Sequence, residues 1–246
     1  MLIMVLRTMQ KRVIKERGEA VENIELTILM PCLNEEKTIG ECIKESQRFI
    51  DESRTSAEIL IADNGSTDAS VSIATQLGAR VINIMEKGYG NALIGGIRAA
   101  KGEFIIMGDC DMSYDFYNLG EFLAKLREGY GLVMGNRFAG GIEKGAMPFS
   151  HRYIGVPFLS WLGRLKYKTD VRDFHCGLRG FSKEEALKLD LKCDGMEFAT
   201  EIIGKFAKSG AKITQIPTTL RKDKRNHKPH LNTIRDGFRH LIYIIK

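Results

Sequence analysis

The 246-residue chain contains no C-x-x-C pair, and its five cysteines (Cys32, Cys42, Cys110, Cys176 and Cys193) are odd in number and widely scattered. They supply neither a disulfide framework nor a zinc site, and they fit reduced thiols in a cytosolic setting. No run reaches the roughly 18 apolar residues needed to span a bilayer. The apolar residues 1–6 are followed at once by Arg7, Lys11 and Arg12, the wrong order for a signal peptide. The glycines of KGYGNALIGG (88, 90, 95 and 96) lack the third correctly spaced glycine of a dinucleotide fingerprint, and no G-K-[ST] completes a P-loop. There is no internal repeat and no low-complexity linker. With 43% apolar and 28% charged residues, the composition is that of an ordinary globular chain, long enough for one large α/β domain or two small ones.

Charge of either sign is absent in excess from most of the chain. Residues 221–246 hold eight basic and two acidic side chains, which accounts for the whole formal charge of +6 and leaves residues 1–220 neutral. A neutral body with one cationic tail argues against a general nucleic-acid coat. The run 222–228 also has no interleaved aromatics and no reader motif, so no nucleic-acid partner is expected.

Hydrophobic periodicity alternates strands with amphipathic helices. Strands are expected at 26–30 (LTILM, ended by Pro31), 58–62, 80–84 and 103–107, separated by helices at 36–50, from Ser66 or Thr67 onward, and at 90–100. That order implies parallel strands joined by right-handed crossovers, hence an α/β doubly wound open sheet. The second half continues with a helix at 116–128, a strand at 131–134, a glycine-rich loop at 136–150 and an aromatic, basic helix at 151–166. A strand at 178–181, a helix at 196–208 and a strand at 213–216 follow. From residue 231, Ile234, Phe238, Leu241, Ile242 and Ile245 recur at helical spacing, with Arg235, Arg239 and Lys246 on other faces.

Open α/β sheets bind ligands at the carboxyl ends of their strands. Acids stand at three of those ends: Glu35 in PCLNEE, Asp63 in ADNGSTD, and Asp109 with Asp111 in MGDCDMS. Carboxylates there can accept from ribose hydroxyls and base N–H groups. A D-x-D pair on a turn is common by itself, but delivered into the same crevice its hard oxygens suit Mg²⁺ or Mn²⁺ bridging a pyrophosphate. Lys87 to Gly90, at a helix N-terminus, suit the approach of phosphate or ribose, whereas Gly95 and Gly96 suit close helix–sheet packing.

Taken in order, PCLNEEKTI, IADNGSTDAS, KGYGNAL, GDCDMSYDF, GNRF and DFHCGLRGF resemble the family 2 glycosyltransferases. They are most similar to the branch that moves a hexose from a nucleotide-sugar to a polyprenyl phosphate, such as dolichol-phosphate mannose and bactoprenol glucose synthases. The resemblance implies the GT-A fold, a Rossmann-like, mostly parallel mixed sheet with helices on both faces. It divides the chain into a basic N-terminal extension (1–24), a catalytic domain (25–220), and a basic loop with an amphipathic helix (221–246).

The same resemblance implies that Pro31, Asn34, Glu35, Asp63, Lys87, Gly88 and Asp109 bind the donor nucleotide. Asp109 and Asp111 would hold Mg²⁺ or Mn²⁺. Arg137 and Arg179 would meet phosphate, Asp173 would be the candidate base, and Arg137, Arg225 and Lys228 would receive the acceptor phosphate. Glu201 matches a family glutamate beneath the site and equally fits a buried acid holding a neighbouring arginine. Members of the branch usually carry an arginine-glycine-serine-lysine stretch where this chain reads Lys224-Arg225-Asn226-His227-Lys228. Many continue into transmembrane helices after the catalytic domain, which makes this chain either truncated or a peripheral enzyme at the cytoplasmic membrane face. The donor motifs serve a soluble transferase acting on a sugar hydroxyl equally well. The aromatic helix and cationic tail favour the lipid phosphate.

Overall fold

The computed structural model describes residues 24–225 and 233–246. Nearly all of the expected N-terminal extension, and Lys228, lie outside the described residues. In chain order the elements are β1 (Leu26–Cys32), α1 (Ile39–Ser53), β2 (Ala57–Asp63), α2 (Ser70–Gln76), β3 (Arg80–Asn83), α3 (Tyr89–Ala99), β4 (Phe104–Met107), α4 (Gly120–Arg127) and β5 (Leu132–Asn136). Then come α5 (Arg137–Gly140), a π-helical turn (His151–Gly155) running into α6 (Val156–Tyr167), β6 (Arg179–Ser182), α7 (Lys183–Lys188), α8 (Phe198–Ser209), β7 (Ile213–Pro217) and α9 (Thr233–Ile245).

The seven strands form one sheet in the order β3-β2-β1-β4-β6-β5-β7. All pairings are parallel except those of β6, which runs antiparallel to both β4 and β5. Leu26, Ile28, Leu29 and Met30 of β1, with Ile105, Ile106 and Met107 of β4, are fully buried. Such near-continuous apolar runs mark strands covered on both faces.

Several boundaries differ from the sequence reading, and three of them have a clear local reason. Pro31 does not end β1. The strand continues to Cys32 because pairing with β4 stops at Leu29↔Met107, so the imide nitrogen that cannot donate meets no partner strand on that side. The helix expected from 116 starts at Gly120, since the Asp115 side chain accepts from the Tyr117 N–H (3.0 Å) and from Asn118 (2.6 Å), holding 115–118 as a turn. Likewise α2 starts at Ser70, because the Ser66 N–H is taken by Asp63 and that of Thr67 by Asn34.

Two glycine pairs on α3 behave differently. A Cβ at Gly96 would stand 2.5 Å from a Leu29 methyl, and one at Gly95 2.4 Å from a methyl of Ile84, so this pair serves helix–sheet packing as expected. Gly88 (φ 134°) and Gly90 instead face the backbone of residues 193–194, where Cβ atoms would lie 2.2 Å from the Asp194 oxygen and 1.9 Å from the Cys193 oxygen. Ile84 has a flexible side chain that can yield, but the 193–194 backbone cannot. Gly95→Ala is therefore expected to change stability by less than about 1 kcal/mol, its packing clash offset by helix propensity. Gly90→Ala should cost about 2–3 kcal/mol; chemical denaturation of the two variants checks the difference.

Candidate active site

The carboxyl ends of β1, β2, β4 and β5 share one edge of the sheet, and the reversed β6 begins at that same edge. A single cavity of about 640 Å³ opens there. Pro31, Glu35, Lys87, Gly88, Asp109, Asp111, Arg137, Arg179 and Arg225 all line it, so the ordered sequence motifs converge. Asn34, Asp63 and Asp173 are not among the lining residues: Asp173 holds Arg137, which is, and Asn34 and Asp63 fix the turn after β2.

On the β1–β2 side, Asn34 adopts the left-handed region (φ 60°), which asparagine tolerates better than most residues. Its side-chain oxygen accepts from the Thr67 N–H at 2.8 Å. Asp63 accepts from the N–H groups of Gly65 (3.0 Å) and Ser66 (3.2 Å), shaping the turn after β2. Asn64 ties this turn to the KGYG segment. Its amide donates to the carbonyls of Ile84 and Glu86, its side-chain oxygen accepts from Gly88 N–H (2.8 Å), and its carbonyl accepts from Lys87 Nζ (2.7 Å). Gly90 N–H donates to the Asp194 carbonyl at 2.8 Å. The N–H groups of 88 and 90, read from sequence as open to phosphate, are thus already engaged within the protein.

The D-x-D turn presents two unlike carboxylates. Asp109 accepts from the Tyr89 hydroxyl at 3.0 Å, and Asp111 accepts from Ser113 N–H at 2.9 Å and from Arg225 Nη2. Burial, reinforced by the negative charge of Asp111, pushes the Asp109 carboxyl up to about 6. Among the described residues no three metal-ligating side chains converge. Two hard carboxylates are nevertheless what Mg²⁺ usually takes from a protein, with water and substrate phosphates completing its shell. The like-charge strain at Asp109 is what a divalent cation would relieve, so Asp109 and Asp111 fit the ion. Arg225 brings positive charge to these acids, its Nη1 lying 3.2 Å from Glu35 and its Nε 2.7 Å from Asp223. The arginine assigned from sequence to the acceptor phosphate therefore stands on the donor-side acids.

Opposite these acids lies the arginine side. Arg137, the first residue of α5, makes a two-pronged pair with Asp173: Nε to Oδ2 at 2.7 Å and Nη2 to Oδ1 at 2.8 Å, with its own N–H also on Oδ2. Asp173 is fully buried and both its oxygens are engaged, which leaves it no route to a substrate proton in this arrangement. The pair holds Arg137 charged despite its burial. Arg179 is fixed by the carbonyls of Ala199 (3.1 Å) and Cys176 (2.5 Å). Glu201 takes the bland role: it accepts from the N–H groups of Lys192 and Cys193 and pairs with Lys205, not with an arginine.

Sequence reasoning missed Asn64, Tyr89, Tyr114, which accepts from Gly177 N–H at 2.7 Å, and the polar face of α9, whose Arg235, Asp236, Arg239 and His240 line the cavity. Tyr89 and Tyr114 stand inside the quoted motifs, but nothing in spacing marks which motif positions touch. Outside the cavity α6 and α9 pack together; α6 exposes Phe158, Trp161 and Leu165, the π-helical turn and the residues just before it expose Phe149, Tyr153 and Ile154, and α9 exposes Ile234, Phe238, Ile242 and Ile245.

Residues 27–188 match the family described as Glycosyl transferase family 2. The chain belongs to glycosyl transferase family 2. Among curated relatives, it is 35% identical over 221 residues to the low-salt glycan biosynthesis hexosyltransferase Agl6 of Haloferax volcanii, covering 89% of this chain and 53% of that protein. It thus spans about half the length of Agl6. It is 30% identical to a dolichyl-phosphate hexose transferase of the same organism, covering 80% of this chain and 83% of the relative. Among solved structures, glucosyl-3-phosphoglycerate synthase of Mycobacterium tuberculosis, crystallised with Mn²⁺, UDP and phosphoglyceric acid, superposes with a TM-score of 0.71 at 22% identity, covering 89% of this chain and 78% of that one. That likeness shows the GT-A fold.

Because its carboxyl is raised by the fold, ionised Asp109 opposes folding, and the penalty grows as pH rises from the unfolded value near 4 through about 6. In chelator, Asp109→Asn is therefore expected to melt higher than the native chain at pH 8, with the gap closing towards pH 4. Thermal melts across that range check it.

Proposed function

We propose that this glycosyltransferase moves a hexose, with inversion, from a nucleotide-sugar of the UDP-glucose or GDP-mannose type to a polyprenyl phosphate at a membrane surface. The observation that carries the reading is the apolar surface of α6 and α9 at the rim of the cavity. Trp161 of α6 and Ile234 and Ile245 of α9 are 48%, 73% and 66% exposed, and they belong to helices whose other faces line the site. Exposed apolar surface of this extent marks an interaction site, and an amphipathic helix suits a headgroup boundary. No helix among the described residues is long and apolar enough to cross a bilayer. The dolichyl-phosphate hexose transferase relative supports the acceptor class.

The residues divide the work. Glu35, Lys87 and Gly88 form the donor end of the cavity with Pro31, backed by Asn34 and Asp63. Asp109 and Asp111 would hold Mg²⁺ or Mn²⁺, which when bound neutralises charge on the departing nucleoside diphosphate. An acceptor phosphate oxygen forms the new bond to the anomeric carbon as the bond to the diphosphate oxygen breaks. A phosphate monoester is largely dianionic at neutral pH, its second pKa being about 6, so no proton has to be removed. Arg137 and Arg179 position that anion. Asp173 acts through Arg137 as a positioning residue, not as the base that family resemblance suggests. With a cation held there, Arg225 would no longer be needed by Asp111, and with Lys228 it would serve the acceptor phosphate.

The test is incubation with Mn²⁺ or Mg²⁺, a polyprenyl phosphate or a free sugar, and a panel of nucleotide-sugars, reading the released nucleotide. Transfer to the lipid phosphate is expected; transfer only to sugar hydroxyls overturns the proposal. Asp173→Asn should keep measurable transfer although the buried pair is weakened, whereas complete loss with normal donor binding and intact folding would restore the base. Arg137→Lys, which cannot present a fork, should lower turnover on the order of a hundredfold. Sedimentation with anionic liposomes should persist at high salt, because the exposed face is apolar.

A further inference from the structure

His175 lies in the segment between Asp173 and Arg179, on the cavity wall. Both its ring nitrogens are buried without a hydrogen-bond partner among the described residues. A buried polar group left so is costly, and among the described residues nothing compensates it. The ring meets His240 of α9 edge-on, with centroids 4.5 Å apart. His240 already spends its Nδ1 on the Thr200 hydroxyl at 2.8 Å. The position of His175 is specific. Two residues on, a side chain at Gly177 would stand 2.5 Å from Asp109 Oδ2, so the segment rests on the donor carboxylate. Two residues back, Asp173 grips Arg137 on the acceptor side. His175 therefore stands between the two ends, where the group in transit must sit. Burial, with the positive surroundings of His240, Arg137, Arg179 and His151, holds the imidazole well below its ordinary pKa and hence neutral. A neutral imidazole has one donor and one acceptor. Phosphate oxygens only accept, and the arginines serve them; a sugar hydroxyl both donates and accepts.

We propose that His175 is a specificity residue of the transferred sugar, hydrogen-bonded to a hydroxyl of the hexose in the donor. Rotation about its soft Cβ–Cγ–ring torsion brings a nitrogen to the ligand. This inference rests on the reading of the cavity as a nucleotide-sugar site.

The experiment is calorimetric binding, with Mn²⁺ present, of UDP against UDP-glucose and of GDP against GDP-mannose. It uses the native chain, His175→Phe, which keeps an aromatic ring against His240, and His175→Gln, which restores a donor and an acceptor. His175→Phe should bind the nucleoside diphosphate as the native chain does and the matching nucleotide-sugar about five- to tenfold more weakly, with His175→Gln recovering part of the loss. Equal weakening of both ligands, or of neither, overturns the inference while leaving the cavity reading intact. Failure of the native chain to bind any of the four ligands overturns both. Should the variants not fold, the imidazole ¹⁵N resonances of native His175 decide: they should move with the nucleotide-sugar and not with the nucleoside diphosphate, and identical responses to the two sink the proposal.

Discussion

The reversed direction of β6 is the constraint on which the site depends. Met107 of β4, Arg179 of β6 and Met134 of β5 lie in one row across the sheet. Because β4 and β5 end where antiparallel β6 begins, residues 173–178 enter at the edge carrying the strand-end acids. Asp173 then reaches Arg137 just after β5, and Gly177 settles on Asp109 just after β4. A parallel β6 would carry Arg179 to the opposite end of the strand, about 10 Å away at 3.3 Å per residue. One strand direction thus joins the strand-end acids to Arg137 and Arg179.

Charges gathered this closely need fixed geometry more than they need net attraction. A buried ion pair adds little stability over an apolar replacement of the same shape, since desolvation opposes the Coulomb gain. The Arg137–Asp173 pair provides orientation: both guanidinium prongs and the backbone N–H lock onto one carboxylate. Asp109 is the contrasting case, strained by burial and by its neighbour Asp111 and steadied by the Tyr89 hydroxyl and the nearby charges of Arg225 and Arg179. The site is rigid where it positions an arginine and strained where a cation fits.

The first half of the fold was readable from residues because its strands are unbroken apolar runs and its helices keep a 3.6 period. Boundaries slipped where side chains outbid the helix, as Asp115 does at 117–118, or where a strand had an unpaired side, as at Pro31. The antiparallel direction of β6 is invisible to periodicity; only resemblance supplied a mixed sheet. The strand-end acids were legible because topology alone sends them to one edge. Their partners were not: Arg225 meets Asp111 across 114 positions and Tyr89 meets Asp109 across 20, and neither a period of 2 nor one of 3.6 carries information about such pairings. His175 stood in plain sight within DFHCG, but being unpartnered is a property only of the folded chain.

The cationic tail changes meaning most. In the sequence it is an uncompensated +6 available to any anion. In the structure Arg221 is matched by Glu45 and Asp115, Arg225 by Asp111 and Glu35, and Arg239 by Glu197 and Asp194. Much of the charge asymmetry is therefore internal: the tail returns to pair with acids of the body, among them Glu35, Asp111 and Asp194 on the cavity wall. What α9 leaves facing outward is chiefly Ile234, Phe238, Ile242 and Ile245, while Asp236, His240 and Ile244, one helical turn apart, face in. A helix that closes a charged cavity with one face and exposes aliphatic and aromatic side chains on the other can meet a lipid surface by burying apolar area, a force that salt does not screen. The basic tail thus serves the cavity through its charge and would serve the membrane through its hydrocarbon.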